Sequence, residues 1–251
     1  MKISVALAYY NGGNYIKEQL DSILKQLGER DEVILSVDGA EDGSLSMLEE
    51  WQEKDARLKV IRGPGRGVVS NFAHALSQCE GDIIFLADQD DIWKKDKVKK
   101  VRKTMVQTRV MAVLHDASII DGEGNPTEAP TLFESRNSGP GILKNWWKNS
   151  YVGCCMAFRK ELLSVVLPIP NMMYMHDYWI GTAAEYVGRV AFLSEPLIDY
   201  RRHDHNVTEM HRGSLFFMIK KRLRILLCLP LLKRRAGKWR AEHLEKKKRF
   251  C

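Results

Sequence analysis

The stretch Asp82-Ile83-Ile84-Phe85-Leu86-Ala87-Asp88-Gln89-Asp90-Asp91-Ile92-Trp93 decides how the chain is read. Its first half is a short, continuous apolar run, the pattern of a strand buried on both faces. Its second half delivers three carboxylates to the end of that strand. Like charges gathered at one place are costly unless a cation offsets them. Carboxylate oxygens suit a hard ion, Mg²⁺ or Mn²⁺, of the kind that shares its coordination with phosphate oxygens. The competing reading is a solvated acidic turn, with Asp91 as the N-cap of a helix that starts near Lys94.

Outward from this stretch, the preceding sequence alternates. Residues 3–8 read as a buried strand, and Asn11-Gly12-Gly13-Asn14 as a turn. Ile16, Leu20, Ile23, Leu24 and Leu27 then follow helical spacing. A second strand over 32–37 ends at Asp38-Gly39, a helix covers 45–51, and a third strand covers 58–61. The turn Gly63-Pro64-Gly65-Arg66-Gly67 leads into a helix around 71–78. Strand and helix in alternation predict a parallel sheet with helices on its faces. Such sheets bind ligands at the carboxyl ends of their strands. Tyr10, Asn11, Asp38 and the Asp88 to Asp91 cluster all fall there.

The second half is less regular. Residues 112–120 have strand character and lead into the turn Asp121-Gly122-Glu123-Gly124-Asn125. Residues 141–159 and 187–200 carry mixed signals. No internal repeat and no long linker divides the chain. The expectation is one α/β domain over 1–211, with a regularly alternating half (1–110), a less regular half (111–211) and a basic extension over 212–251.

Charge is unevenly spread. Residues 212–251 hold 14 Lys or Arg against 2 acids, a balance of +12, while the rest carries 25 against 30, or −5, within a net +7. A basic segment interleaved with Leu, Ile and Phe suits an anionic membrane surface. The bland alternative is a helix packed on the core with a solvated basic face. Pro230 is expected to break the stretch. No nucleic-acid reader motif accompanies the charge, so nucleic acid is not expected as a partner. Five cysteines form no even framework, which favours a reducing compartment. No apolar run is long enough for a signal peptide or a membrane span.

Taken in order, Ala8-Tyr9-Tyr10-Asn11-Gly12, Asp38-Gly39 with Asp42-Gly43-Ser44, Gly67 with Asn71, and Asp88-Gln89-Asp90-Asp91-Ile92-Trp93 resemble the motifs of family 2 glycosyltransferases. The Asp-Gln-Asp-Asp-x-Trp form resembles bacterial rhamnosyltransferases and related enzymes of surface-polysaccharide synthesis. The resemblance implies a GT-A fold: a Rossmann-like, mostly parallel sheet flanked by helices, here with the basic helical extension. It implies that Ala8 and Tyr10 line a nucleotide-base pocket beside Asn71. Asp38 would accept from a pyrimidine N–H, with Val37 standing where the family usually has a second acid. Asp88 and Asp90 would form the metal-binding Asp-x-Asp pair. Met175-His176-Asp177-Tyr178-Trp179 is similar to the family's base motif, so Asp177 would deprotonate the acceptor, although an N-cap role for Asp177 remains open. Tyr200-Arg201-Arg202-His203 resembles a segment in which His203 touches metal or diphosphate and an Arg offsets phosphate charge. Trp146, Trp147 and Tyr151 would form an acceptor platform or an ordinary core.

The implied reaction is inverting transfer of a sugar, dTDP-rhamnose or a UDP-hexose being the expected donor. The acceptor would be a glycan or lipid-linked molecule at the cytoplasmic face of a membrane. Two rivals are a sugar nucleotidyltransferase and a non-catalytic nucleotide-sugar-binding module. The first would need a longer Gly-rich signature with an N-terminal Lys, and the second is disfavoured by intact Asp88, Asp90 and Asp177.

Overall fold

The computed structural model describes residues 1–203 and 215–249. Its first part runs β1 (Ile3–Tyr10), α1 (Ile16–Leu24), β2 (Glu32–Gly39), α2 (Leu45–Lys54), β3 (Leu58–Arg62), α3 (Val68–Ser77) and β4 (Ile83–Ala87), the expected alternation. The second part runs β5 (Ile92–Trp93), α4 (Lys97–Thr108), β6 (Ala112–Ile120), α5 (Leu132–Arg136), α6 (Ile142–Trp147), β7 (Met156–Arg159) and α7 (Leu163–Val166). It closes with α8 (His176–Val187), β8 (Val190–Arg201) and a long α9 (Leu215–Arg249).

All eight strands form one sheet in the order β3-β2-β1-β4-β7-β6-β8-β5. Strands β1 to β4 pair in parallel, as do β6 and β8. Strand β7 runs antiparallel between β4 and β6, and β5 runs antiparallel to β8. The parallel part places Tyr10, Gly39 and Ala87 at one end of the sheet, where the candidate residues begin.

Alternate residues of each central strand supply the two faces. Val5, Leu7, Val33, Leu35, Ile83 and Phe85 meet α1 and α2 through Ile16, Leu20, Ile23 and Leu48. Ala6, Ile34, Ile84 and Leu86 pack on the other face against Phe72 and Leu76 of α3 and against Trp179 and Ile180 of α8. Both faces are covered, so the strands read as unbroken apolar runs rather than alternating ones.

Helix α9 joins the second face. Ile225, Cys228, Leu232 and Ala236 recur at helical spacing and are all buried there. Helix α9 is therefore packed on the core, with Lys233, Arg234 and Lys238 among the groups exposed on its other faces and Arg235 donating to the Val165 and Val166 carbonyls. Pro230 does not break it. It lies at an exposed position inside the helix, where packing on either side offsets the lost N–H bond. No described helix is long and apolar enough to cross a membrane. Cys79, Cys154, Cys155 and Cys228 are buried free thiols.

Candidate active site

A cleft of about 1070 Å³ opens at the carboxyl ends of β1, β2 and β4. Ala8, Tyr10, Asp38, Asn71, Asp88, Asp90 and Asp177 all line it. Residues from distant parts of the chain that the sequence singled out thus converge on one surface. His203 reaches the same place through Asp90, its Nε2 lying 2.9 Å from Asp90 Oδ2 and its ring stacked on Tyr15. The rest of its segment, Asp204 to Val207, lies outside the described residues.

The acidic loop is held from several sides. Gln89 bridges to the end of β1, accepting the Tyr10 N–H at 2.7 Å and donating to the Tyr10 carbonyl at 3.0 Å. Gln19 of α1 donates to the Asp88 carbonyl at 2.6 Å. A Cβ on Gly12 would collide with the Gln89 amide, which explains a glycine there. Asp91 is not an N-cap. Helix α4 begins at Lys97, after the short β5 has paired with β8, and Asp91 points inward, where its Oδ1 accepts the Arg201 N–H at 3.2 Å. Its Oδ2 is buried without a hydrogen-bond partner.

Arg201 supports the loop from within. It is buried and spans the Asp90 carbonyl at 2.9 Å, the Gly122 carbonyl at 3.0 Å and Glu18 at 2.5 Å. These bonds brace the acidic loop. Lys97, which the sequence did not mark, lies fully buried beneath the same loop. Its ammonium donates to the Cys154 carbonyl at 3.0 Å and sits 3.9 Å over the Trp93 ring, and burial lowers its pKa to about 8. Nothing in the run Lys94-Lys95-Asp96-Lys97 distinguishes a buried lysine from solvated ones.

Electrostatically the loop is under-compensated. Burial raises the Asp88 carboxyl to about 7, and the neighbouring Asp90 and Asp177 carboxylates add to the shift. Burial also pushes Asp91 well up. Asp88, Asp91 and Cys154 bring ligand atoms within 4.8 Å of one another. Asp91 and Cys154, however, are buried behind the cleft wall, whereas Asp88 and Asp90 face the cleft. An oxygen pair that repels itself in an open cleft fits a hard divalent cation better than a thiolate-containing set does.

The opposite wall carries Asp38 and Asn71. Asp38 Oδ1 accepts the Gly65 N–H at 2.8 Å and Oδ2 the Gly67 N–H at 3.1 Å. Each oxygen retains a lone pair for a ligand donor. Gly67 makes this possible at φ 84°, a left-handed conformation that favours glycine. Asn71 ties β1 to β2, its Nδ2 donating to the Tyr9 and Ser36 carbonyls, while its Oδ1 is buried without a partner. Tyr10 is 61% exposed, a ring available to stack.

Across the cleft, Asp177 sits in the first turn of α8. The N-cap is Met175, so Asp177 is not the cap. Its Oδ2 accepts the Gly153 N–H at 3.2 Å and its Oδ1 the Tyr178 N–H at 2.6 Å. Burial nevertheless dominates and raises the carboxyl to about 6, the hydrogen bonds and Arg136 pulling the other way. Beside it His176 stacks on Phe72 at 3.8 Å, and both its ring nitrogens are buried without partners. Burial lowers His176 to about 3, so the ring is neutral at pH 7. Tyr151 is buried, whereas Trp147 stands 66% exposed at the cleft mouth, so the expected aromatic platform is only partly surface.

Comparison with known proteins gives a consistent picture. Residues 4–167 match the family described as "Glycosyl transferase family 2". The chain is 28% identical over 214 residues to an uncharacterised glycosyltransferase, alr2836, of Nostoc sp., covering 82% of this chain and 66% of that protein. It is 25% identical over 210 residues to the putative teichuronic acid biosynthesis glycosyltransferase TuaG of Bacillus subtilis, covering 82% and 81%. It is also 25% identical over 221 residues to the dTDP-rhamnosyl transferase RfbG of Shigella flexneri, covering 80% and 72%. Among solved structures, S. aureus TarS 1–349 in complex with UDP-GlcNAc superposes with a TM-score of 0.66 at 21% identity. The match covers 90% of this chain and 67% of that one. This likeness shows the fold, which is the expected GT-A architecture.

Proposed function

The chain belongs to glycosyl transferase family 2, and from that premise we propose that it moves a sugar from a nucleoside-diphosphate donor onto a hydroxyl of a glycan or lipid-linked acceptor, with inversion. One observation carries this reading. Two acidic groups of different environment, the Asp88–Asp90 pair and Asp177, line a single cleft at the strand ends.

Each group has a role that suits its surroundings. Tyr10, Ala8 and Asn71 form the wall for the nucleotide base, and Asp38 accepts from a pyrimidine N–H. Asp88 and Asp90, with His203 against Asp90, would hold Mg²⁺ or Mn²⁺. Such an ion, when bound, neutralises charge on the departing diphosphate. Asp177 takes the acceptor hydroxyl proton. The acceptor oxygen bonds to the anomeric carbon as the bond to the diphosphate oxygen breaks, and its electron pair leaves with the nucleoside diphosphate. A carboxyl at about 6 is ionised at neutral pH yet basic enough for this task. The donor is dTDP-rhamnose or a UDP-hexose, the first supported by the name of the RfbG relative, and the surface-polysaccharide setting by that of TuaG. Residues 1–110 would bind donor, 111–211 acceptor, and 212–251 would serve as the basic extension.

The same extension supports attachment at the cytoplasmic face of a membrane. Leu143 and Trp147 of α6 are exposed, as are Ile219, Leu223, Leu226 and Leu227 of α9, whose neighbours include Lys220 and Arg224. Apolar side chains beside basic ones fit an anionic bilayer surface. Sedimentation with liposomes of graded anionic content, at low and high salt, tests it, and binding indifferent to both variables refutes it.

Release of nucleoside diphosphate from a panel of UDP- and dTDP-sugars, with and without Mn²⁺, tests the main reading. Metal-stimulated release from at least one donor is expected. Exchange of pyrophosphate into a nucleotide sugar would indicate a nucleotidyltransferase, and binding without turnover a non-catalytic module.

A further inference from the structure

The acidic loop and the wall that carries Tyr10 meet through one side chain. The ladder between β1 and β4 ends at the pair Leu7 and Ala87, and Tyr10, further along β1, pairs with no residue of β4. At that point the Gln89 side chain takes the place of a strand. Its Oε1 accepts the Tyr10 N–H at 2.7 Å and its Nε2 donates to the Tyr10 carbonyl at 3.0 Å. A carboxamide sets one acceptor and one donor side by side, the same pair that a strand neighbour presents. We infer that Gln89 is a positioning residue for the nucleotide base, a deepening that rests on the glycosyl-transfer reading above. It fixes the Tyr10 ring from within the acidic loop, so that the base wall and the Asp88–Asp90 pair are held as one unit.

Tyr10 needs such a brace. The register between β1 and β2 shifts between Tyr9 and Tyr10, so the ladder is irregular where the ring projects. Asn11 then turns the chain at φ 46°, and its N–H donates to the Gly39 carbonyl at 3.2 Å, which ties this corner to β2. The Gln89 amide supplies the second tie. The ring itself is 61% exposed and lies close over Gly39, where a Cβ would come within 2.9 Å of it. Its direction therefore follows the Tyr10 main chain, and the Gln89 bonds set that main chain.

Gln89 is anchored in turn. The Asp88 carbonyl, in the peptide that leads into Gln89, accepts from Gln19 at 2.6 Å. Gly12 leaves room for the amide, since a Cβ there would collide with it. A ring placed in advance loses less freedom when a base stacks on it, so affinity is gained before any contact with phosphate. Gln89 stands between Asp88 and Asp90, so a shift of that loop is passed to Tyr10. A nucleoside diphosphate that reaches from the base wall to these carboxylates meets both at a fixed separation.

The test is a double-mutant cycle on nucleotide binding. The probes are UDP and dTDP with Mn²⁺, and uridine and thymidine without it. Gln89→Met keeps the length of the side chain and removes both hydrogen bonds. It should lose on the order of tenfold affinity for the preferred nucleoside and for its diphosphate. Gln89→Glu, which at pH 8 sets a carboxylate against the Tyr10 carbonyl, should lose at least as much. Gly12→Ala should act in the same direction with the fold intact, because the new methyl meets the movable end of the Gln89 side chain. Tyr10→Ala should weaken binding as well. Adding Gln89→Met to it should then cost little, because the ring that Gln89 positions is gone. Hydrogen exchange at the Tyr10 amide should quicken in Gln89→Met, a direct reading of the opened clamp. Additive losses in the cycle overturn the inference, and so does nucleotide affinity that holds while Tyr10 exchange quickens. In either case Gln89 serves the loop and not the base. Failure of the unmodified chain to bind UDP or dTDP would count against the glycosyl-transfer reading itself, so the two failures are distinct.

Discussion

At the amino end of the sheet Glu32 is buried, and its oxygens take hydrogen bonds from Ser4 at 2.6 Å, Lys59 at 2.9 Å and the Glu80 N–H at 2.8 Å, with Lys2 at 3.1 Å. Burial disfavours its charge, but these donors outweigh burial and bring the carboxyl down to about 2. At the carboxyl end Asp88 and Asp177 are raised to about 7 and about 6, with burial the largest cause in both. Carboxylates at the two ends of the sheet thus differ: donors outweigh burial for Glu32, and burial outweighs donors for Asp88 and Asp177. Compensation marks a carboxylate that serves the fold. Its absence suits a group whose partner is a ligand, and on the proposed reading that partner is a cation for Asp88 and a transferred proton for Asp177.

The largest effect expected of this contrast is on turnover. Asp177→Asn should lower kcat by roughly two to four orders of magnitude, the range for loss of a general base, with donor affinity held. If donor affinity collapses and kcat survives, Asp177 belongs with Glu32 as a structural acid. Next comes Asp90→Ala, which should weaken donor binding and reduce kcat/KM by about 10²- to 10³-fold. A chelator should reproduce that loss in the unmodified enzyme and add little to the variant. Equal activity of the two proteins in metal-depleted buffer removes the metal role.

The contrast was only half visible in the sequence. The run from β1 to β4 was legible because its apolar stretches, turns and helical spacing are local, and a parallel sheet fixes where the strand ends meet. Tyr10, Asp38 and Asp88 could be placed on that basis alone. The second half was not legible. Strand β7 is four residues long and reverses direction between β4 and β6, and nothing in Met156-Ala157-Phe158-Arg159 records that. Asp90 and Asp91 are identical in type and adjacent, yet one faces the cleft and the other the interior. The difference is set by Arg201, 110 residues beyond Asp91. The resemblance to a known family supplied Asp177 and His203, which spacing could not. Neither route pointed to Lys97, because it sits in a run of similar charges.

Opposite effects on stability sharpen the comparison further. Glu32→Gln should destabilise the protein by about 2–3 kcal/mol, since it removes a buried anion and strands its donors. Its folded pKa is depressed, so its contribution is present above the unfolded value of about 4.3 and fades as pH falls toward 2. Asp88→Asn should stabilise by about 1–2 kcal/mol at pH 8, after allowance for water in the open cleft, because it removes an anion that the fold disfavours. Activity should be lost in the second variant and kept in the first. Thermal melts at pH 8 without metal measure both, and a shared sign would dissolve the distinction between the two ends.

The smallest effect tests whether Asp177 is tuned by its surroundings rather than merely buried. A base must be ionised, so kcat at saturating uncharged acceptor should fall as pH drops through about 6. The nearby Arg136 favours the anion and lowers this carboxyl. Arg136→Gln takes away that favour, so the folded pKa rises and the acid limb moves up, by about half a unit for a charge acting through a wet cleft. Turnover near pH 6 should then drop by about two-fold, while turnover near pH 8 stays level, since Asp177 is ionised in both proteins there. Raising the salt should shrink the difference, as expected of a screened charge. An acid limb that stays put on loss of Arg136 would mean that the titrating group is not Asp177. A uniform fall at every pH would mean that Arg136 acts through acceptor placement and not through the base.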